Sequence, residues 1–450
     1  MVQDLRSYLD LVEGKKPDDI LTVSSEVDPF HELTATVVKL EREGKRRPVI
    51  IFEKVKGSRF SVLTNLHASR SRMAWAMNVA PEEMQRAYLR AMEKPIPPKK
   101  VSKAPVKEIV IKGDQINLHD LPQIVHHQDD AGPYITAAIS FAKDPASETQ
   151  NCAYNRLMIQ GKDRTSIHLT PGKHLWEFYC NAESRGEPLP VAFAVGVHPA
   201  IALGALAIGS IDEDERAIMG ALLGEPLELV KCETSDILVP AHAEIIIEGE
   251  ILARERTPEG PFGEFTGYSL GQRQRQVVKV KAITHRSEPF FQDITVGHLD
   301  HLLLSTVPIE ANLFRVVRAM VPSVRAVRIP APFTCYVSIE QRIPGQGKNG
   351  VLAVLGSDMY MKRVVIVDQD VDISNDREVT WAIATRCRAD RDITVIPRTR
   401  GSDLDPSAEG NGYTAKWGVD ATAKPSLSAY TPRHRISREV WERINLKDIS

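Results

Sequence analysis

Cysteine is scarce in this chain. Cys152, Cys180, Cys232, Cys335 and Cys387 are scattered, odd in number and form no C-x-x-C pair. That excludes a disulfide framework and a zinc knuckle, and it fits a reduced, cytoplasmic protein. Neither sign of charge is in excess: 57 Lys and Arg stand against 59 Asp and Glu, a formal net charge of -2. No global basic field is available for nucleic acid or acidic lipid. An unbroken apolar run of membrane length is also missing. The longest candidate, 191–209, is split by His198-Pro199 and thinned by glycines, so it reads as a buried strand, a turn and a second buried segment. The opening Met1-Val2-Gln3-Asp4-Leu5-Arg6 carries charge where a signal peptide needs an apolar core. Internal repeats and low-complexity tracts are absent.

What is present is ordinary globular composition, 42% hydrophobic and 26% charged, over 450 residues. That length is too great for one core and predicts two or three domains of an α+β chain. Residues 1–105 read as a small N-terminal α/β domain. Its helix over 4–12 opens on an acid and spaces Leu5, Tyr8, Leu9 and Val12 on one face. A buried strand covers 48–52, and a helix with proline at its start covers 81–92. The proline-rich 94–100 is the clearest linker. Residues 106–305 are strand-rich, with β-like runs at 106–112, 134–141, 157–160, 243–248 and 276–284, which suggests a barrel-like core. Helical insertions are expected at 174–182 and 212–223. A linking helix is expected within 306–322, its periodic part at 308–320. Residues 323–450 return to α/β, with a buried parallel strand at 364–368 and a helix at 376–386.

The richest segment is Glu259-Gly260-Pro261-Phe262-Gly263-Glu264, followed by Phe265-Thr266-Gly267-Tyr268. Two carboxylates bracket a turn that glycine and proline hold tightly. Acids held close do not both ionise cheaply, so one can keep a proton at neutral pH. Taken alone, the segment is equally a surface turn. Arg156, in Asn151-Cys152-Ala153-Tyr154-Asn155-Arg156, offers a planar fork for a carboxylate, or a structural ion pair. His174 opens one predicted helix and Glu215 stands near the start of another. Each alone reads as a helix-end residue. Asn151, His174 and Glu215 together supply O, N and O donors that suit Mn²⁺ or Mg²⁺ bridging to a phosphate. His126-His127-Gln128-Asp129-Asp130 reads as a polar loop, because adjacent extended residues point to opposite faces. Gly345-Gln346-Gly347-Lys348-Asn349-Gly350 lacks Walker spacing and reads as a flexible loop.

Together these segments resemble the UbiD-type decarboxylases, which use prenylated FMN. The resemblance runs from Leu5-Arg6-Ser7-Tyr8-Leu9 to Gly418-Val419-Asp420-Ala421-Thr422. Its most specific parts are Asn151 to Arg156, the E-G-P-F-G-E-x-x-G-Y segment, and Tyr360-Met361-Lys362-Arg363 with the strand after it. It implies a central split β-barrel that binds the flavin and a C-terminal α/β domain that carries an oligomer interface. It implies Arg156, Glu259 and Glu264 as a catalytic set, with Arg156 orienting the carboxylate and Glu259 giving the proton. Asn151, His174 and Glu215 would hold Mn²⁺ against the flavin phosphate. Ala153, Tyr154, Asn155, Lys173 and Lys362 would contact the cofactor, and Thr136 would help to hold K⁺.

The implied partners are a carboxylic acid, CO₂, a flavin prenyltransferase that supplies the cofactor, and further copies of the chain as a dimer or hexamer. Neither nucleic acid nor a membrane span is expected. A polar tail after Pro432 would wrap a neighbour or a domain edge. The chain departs from some members in Ala205-Leu206-Ala207-Ile208 and in His298-Leu299-Asp300-His301. His298 and His301 face the substrate in this reading and would activate a phenolic hydroxyl, or merely line a loop. Competing assignments are an FMN oxidoreductase on a split-barrel core and an accessory subunit of a decarboxylase complex.

Overall fold

A computed structural model describes all residues except 1–2, 148, 411, 425–432, 435 and 446–450. The chain divides into two compact units. The first comprises 1–316, 331–333 and 400–414, and the second comprises 317–330, 334–399 and 415–450.

The first unit opens with the helix Leu5–Lys15, capped by Asp4, whose carboxylate accepts from Ser7 N at 2.8 Å. Its apolar face, Leu5, Tyr8, Leu9 and Val12, is buried as the spacing predicts. A four-stranded sheet follows in the order Ile20–Val27, Val49–Val55, Ser61–Thr64 and Phe290–Gln292. The last of these strands lies more than two hundred residues from the others, which no local pattern reveals. Residues 81–93 form a short 3₁₀ turn and then the helix Met84–Glu93. The 94–100 segment is tied down: Ile96 N donates to Ala217 O at 2.9 Å, and Lys99–Lys100 pairs in parallel with Glu228–Leu229.

The core of this unit is a nine-stranded sheet, antiparallel at every recorded pairing. Its centre is the pair Ile245–Glu259 and Arg273–His285, longer than the runs seen in the sequence. Residues 134–141 are not one strand but two, Tyr134–Ile135 and Ile139–Lys143. The break follows from Thr136, whose hydroxyl donates to Asp293 Oδ1 and accepts from Ile294 N, both at 2.9 Å. The ladder of the long pair shifts register at Glu248/Gly249. A Cβ on Gly249 would lie 2.5 Å from Lys279 O, so only glycine lets the strands approach there.

The run over 191–209 becomes the strand Leu189–Val195 and the helix Pro199–Gly204, capped by His198. Among the described residues no helix is long and apolar enough to cross a membrane. The helix expected at 308–320 begins nine residues earlier, as Leu299–Met320 with Pro308 inside it. Proline marks many helix starts, but here the start is held by Asp300, which accepts from Asn65 N at 3.1 Å and His67 N at 2.6 Å.

In the second unit a five-stranded sheet has the order Val324–Ala331, Thr334–Ile339, Arg363–Asp368, Tyr413–Ala421 and Ile393–Arg400. Arg363–Asp368 pairs in parallel with both neighbours, and the helix Asp376–Arg386 has the bounds its sequence predicts. The 345–350 segment is not a loop. Gly345, at φ 90°, starts the helix Gln346–Ser357. A Cβ on Gly347 would fall 2.3 Å from Asp420 Oδ1, so the glycines serve close packing of helix on sheet. The tail beyond Pro432 is described only at 433–434 and 436–445, where Arg438–Arg443 is helical. The rest of that expectation lies outside the described residues.

Candidate active site

The strand Ile245–Glu259 ends on its functional residue. Glu259 is followed by a cis Gly260–Pro261 bond, with Gly260 at φ 88°, and by Phe262–Gly263, which pairs with Ser269–Leu270. Glu264 N donates to Tyr268 O at 2.9 Å. This tight turn brings two buried carboxylates, 3% and 8% exposed, to one guanidinium. Arg156 sits between the strands Gln150–Tyr154 and Leu157–Ile159. Its Nε donates to Glu259 Oε1 at 2.9 Å and its Nη1 to Glu264 Oε1, while its cation lies 4.9 Å from the Phe262 ring centre. The three residues singled out in the sequence are therefore one hydrogen-bonded group.

Two members of the group were missed in the sequence. The Tyr134 hydroxyl, buried, donates to Glu259 Oε1 at 3.2 Å, and Arg275 Nε donates to Glu259 Oε2 at 3.3 Å. Arg275 was legible in principle. It pairs with Thr257, two residues from Glu259 and on the same face, so a diagonal cross-strand contact follows once the register is known. Tyr134 has no such signal.

The electrostatics differ between the acids. Burial raises the Glu264 carboxyl above the ordinary carboxylate range, and the nearby Arg156 offsets this only in part. Glu264 has one side-chain hydrogen bond among the described residues, from Arg156, whereas Glu259 has donors on both oxygens. Burial, with Arg156, Arg275 and Arg273 close by, lowers His168 to about 2. Burial, with some contribution from Arg156, lowers His301 to about 4. Both imidazoles are neutral at physiological pH.

Of the two histidines expected to face substrate, His301 senses Arg156 and meets Phe265 edge-on, with ring centres 6.3 Å apart. His298 Nδ1 lies 3.3 Å from Glu41 Oε2. His126, read as part of a polar loop, is instead buried and bonded to Asp293 at 2.8 Å. Its ion pair was invisible because Asp293 is distant in sequence.

A second group lies at two helix starts. His174 and Glu215 are the first residues of the helices His174–Ser184 and Glu215–Leu223, and Asn151 is on the neighbouring strand. Asn151 Nδ2 is 2.8 Å from Glu215 Oε1 and 3.4 Å from His174 Nδ1, and that imidazole nitrogen is 3.9 Å from Glu215 Oε1. Asn151 Oδ1 is buried with no partner among the described residues. Burial raises Glu215 to about 7, and burial lowers His174. An orphan oxygen, a neutral imidazole and a carboxylate short of compensating charge are the donor set a hard divalent cation would satisfy. Both helix N-termini favour an anion nearby.

The remaining predicted contacts fall as follows. Tyr154 presents a buried hydroxyl with no partner among the described residues. Asn155 is occupied structurally, accepting from Ser140 at 2.7 Å and donating to His168 O at 3.1 Å, and Ala153 O accepts from Ser140 at 2.9 Å. Lys173 is exposed and precedes His174. None of Thr136's recorded bonds reaches Asn151, His174 or Glu215. Lys362 belongs to the second unit.

Three family models match in succession. They are the N-terminal domain of 3-octaprenyl-4-hydroxybenzoate carboxy-lyase over 13–92, its Rift-related domain over 99–299 and its C-terminal domain over 303–421. An anhydromevalonate phosphate decarboxylase of Methanothermobacter thermautotrophicus is 34% identical over 438 residues, covering 96% of this chain and 100% of that protein. The UbiD-class enzyme HmfF of Pelotomaculum thermopropionicum, in complex with FMN, is 41% identical with a TM-score of 0.92, covering 99% of each chain. An evolved dimeric form of that enzyme, in complex with prFMN, gives a TM-score of 0.89 at 40% identity and 99% coverage of each chain. The apo 3,4-dihydroxybenzoic acid decarboxylase AroY of Klebsiella pneumoniae gives 0.91 at 29% identity, covering 100% of this chain and 99% of that one.

Proposed function

The chain belongs to the UbiD family of carboxy-lyases, and from that premise we propose a reversible, non-oxidative decarboxylase of an aromatic or α,β-unsaturated carboxylic acid that uses prenylated FMN. The observation that carries the reading is Arg156 held between Glu259 and Glu264 in a buried turn. When bound, prenylated FMN supplies an electron sink for the bond that releases CO₂. The rest falls to the chain's own residues. Arg156 receives the substrate carboxylate, and its two glutamates fix the plane of its fork. Tyr134 and Arg275 hold Glu259 as an acceptor.

Protonation of the product carbon needs an acid that keeps its proton near neutral pH. The raised Glu264 supports giving that task to Glu264, in place of the Glu259 expected from the sequence. Glu259 then acts as the fixed counter-charge of Arg156 and Arg275.

Asn151, His174 and Glu215 fit Mn²⁺ or Mg²⁺, which would anchor the cofactor phosphate with help from Lys173. Tyr154 would face the cofactor. A K⁺ role for Thr136 rests on the resemblance alone. The central antiparallel sheet would be the split-barrel flavin domain. In the second unit, Ile393 and Val395 are 37% and 62% exposed on an edge strand, which supports self-association through that unit.

The test is anaerobic purification after co-expression with a flavin prenyltransferase, with mass spectrometry of the released cofactor and then a panel of carboxylic acids. Prenylated FMN near one per chain, with CO₂ release, is expected. Unmodified FMN with redox activity would replace this reading by the oxidoreductase one. A folded chain without flavin would point to an accessory subunit.

A further inference from the structure

The segment His126-His127-Gln128-Asp129-Asp130 reads in the sequence as a polar loop, and the proposed function gives it no task. In the fold it lies against the catalytic turn. The Asp130 side chain is fully buried. Its Oδ1 accepts from Gly263 N and its Oδ2 from His127 N, both at 2.9 Å. The His127 ring nitrogen nearest to it, 3.5 Å away, has no hydrogen-bond partner among the described residues. The next residue bonds to the turn as well: Ala131 N donates to Pro261 O at 2.9 Å. The approach is close, since a Cβ on Gly263 would lie 2.6 Å from the His127 ring. Burial would raise the Asp130 carboxyl, but the donors around it bring it below the ordinary range, so it is an acceptor at physiological pH.

Farther along the same segment, Tyr134 donates to Glu259 Oε1 at 3.2 Å, and its ring centre lies 4.1 Å from that of Phe262. One short stretch, 130–134, thus bears on both ends of the turn. Within the turn, Gly263 stands between Phe262, whose ring faces the Arg156 cation at 4.9 Å, and Glu264, whose carboxyl meets Arg156 Nη1. Glycine at 260 and 263 leaves the turn little stiffness of its own. Such a backbone keeps a carboxyl placed only where groups outside it hold its amides and carbonyls. Asp130 holds the amide next to Glu264, and it does so with a buried charge, which is costly to place. Closing a polar loop requires no such charge.

We propose that Asp130 is a positioning residue of the reaction, which by holding the Gly263 amide keeps the Glu264 carboxyl seated on Arg156 and shut off from water. The inference rests on the decarboxylase reading and on Glu264 as its acid. Released from Asp130, the turn lets water reach Glu264, and relief of burial lowers the pH at which it loses its proton. The charged groups around Glu264 are Arg156, Glu259 and Asp403, and the nearby His301 is neutral. All of these remain when Asp130 is replaced. Turnover needs the acid form, so the rate is lost as pH rises through that value, and the alkaline limb moves to lower pH.

The test uses the full chain with Mn²⁺ and prenylated FMN, as parent, Asp130→Ala and Asp130→Asn. The amide oxygen of the second variant can still accept from Gly263 N, so it removes the charge and keeps the bond. Hydrogen–deuterium exchange read by mass spectrometry follows the turn without turnover. In Asp130→Ala, peptides covering 259–268 should exchange about tenfold faster, while the strand Arg273–His285 exchanges as in the parent. The kcat for an acid that the parent accepts should fall about tenfold, and its alkaline limb should move down by about one pH unit. Asp130→Asn should stay close to the parent in exchange, kcat and limb. Asp130→Ser, too short to reach Gly263, carries the test should Asp130→Ala not fold. An unchanged turn, a limb that stays in place, or an Asp130→Asn that behaves as Asp130→Ala overturns the positioning role and leaves the decarboxylase reading standing. No CO₂ release by the parent from any carboxylic acid overturns that reading and the inference with it.

Discussion

Glu215 makes the metal-free protein weaker at neutral pH than it need be. Its side chain is 7% exposed, and burial raises its carboxyl from 4.5 to about 7. An unfolded chain releases that proton above about 4.5, whereas the folded chain keeps it to about 7. Between those values the unfolded state binds fewer protons, so stability falls as pH rises, and above about 7 the full penalty remains. At about 1.4 kcal/mol per pH unit the penalty is about 3 kcal/mol. With unfolding entropy near 2 cal/mol/K per residue, that is about 3–4 °C in Tm for a chain of this size. Glu215→Gln keeps the shape and removes the charge. Stripped of metal, it should melt about 3–4 °C above the parent at pH 8 and nearly level with it at pH 5. Mn²⁺ should raise the Tm of the parent and leave the variant unmoved. Differential scanning fluorimetry over pH 5–8, with and without Mn²⁺, reads all four conditions. A variant no more stable than the parent at pH 8, or one stabilised equally by Mn²⁺, would refute the argument.

Other substitutions separate roles within the Arg156 group. Glu264→Gln should lower kcat by two orders of magnitude or more while prenylated FMN, weighed by mass spectrometry, stays bound; near-full turnover would return the proton to Glu259. Glu259→Gln removes the counter-charge of two guanidiniums and should raise KM more than it lowers kcat, which steady-state kinetics would show. Tyr134→Phe deletes one hydrogen bond to Glu259 and should cost about 1 kcal/mol, roughly a fivefold fall in kcat/KM.

What the sequence shows best is what is local. The cap at Asp4, the strand Arg363–Asp368 and the helix Asp376–Arg386 depend on neighbours a few residues away, and each was legible. So were Glu259 and Glu264, because one turn holds them both. Asn151, His174 and Glu215 were legible as a donor set by residue type and by family resemblance, but not by spacing, since strand and helix ends meet there across sixty residues. The errors share a cause. Thr136 breaks a strand because Asp293 waits for its hydroxyl. Glycine at 345–350 suggested a loop, but the sheet beneath needs small residues on a helix. The periodic pattern suggested a helix from 308, but Asp300 and the Asn65–His67 loop set the start earlier. In each case a residue far away in sequence overrode the local preference.

The charge balance of the Arg156 group explains why so many buried ionisable residues are tolerated there. Arg156 and Arg275 bring two positive charges, and Glu259 bonds to both. His168 is held neutral by burial and by both guanidiniums, and His301 by burial with a contribution from Arg156, so they add no charge. Were Glu264 fully ionised, two anions would cancel two cations, and an entering carboxylate would find no net attraction. On the proposed assignment Glu264 keeps its proton, and the group then carries a residual positive charge for a substrate carboxylate to neutralise. On that proposal, binding the substrate and supplying its replacement hydrogen would be two consequences of one buried carboxyl, and both should fail together when that carboxyl is moved to solvent.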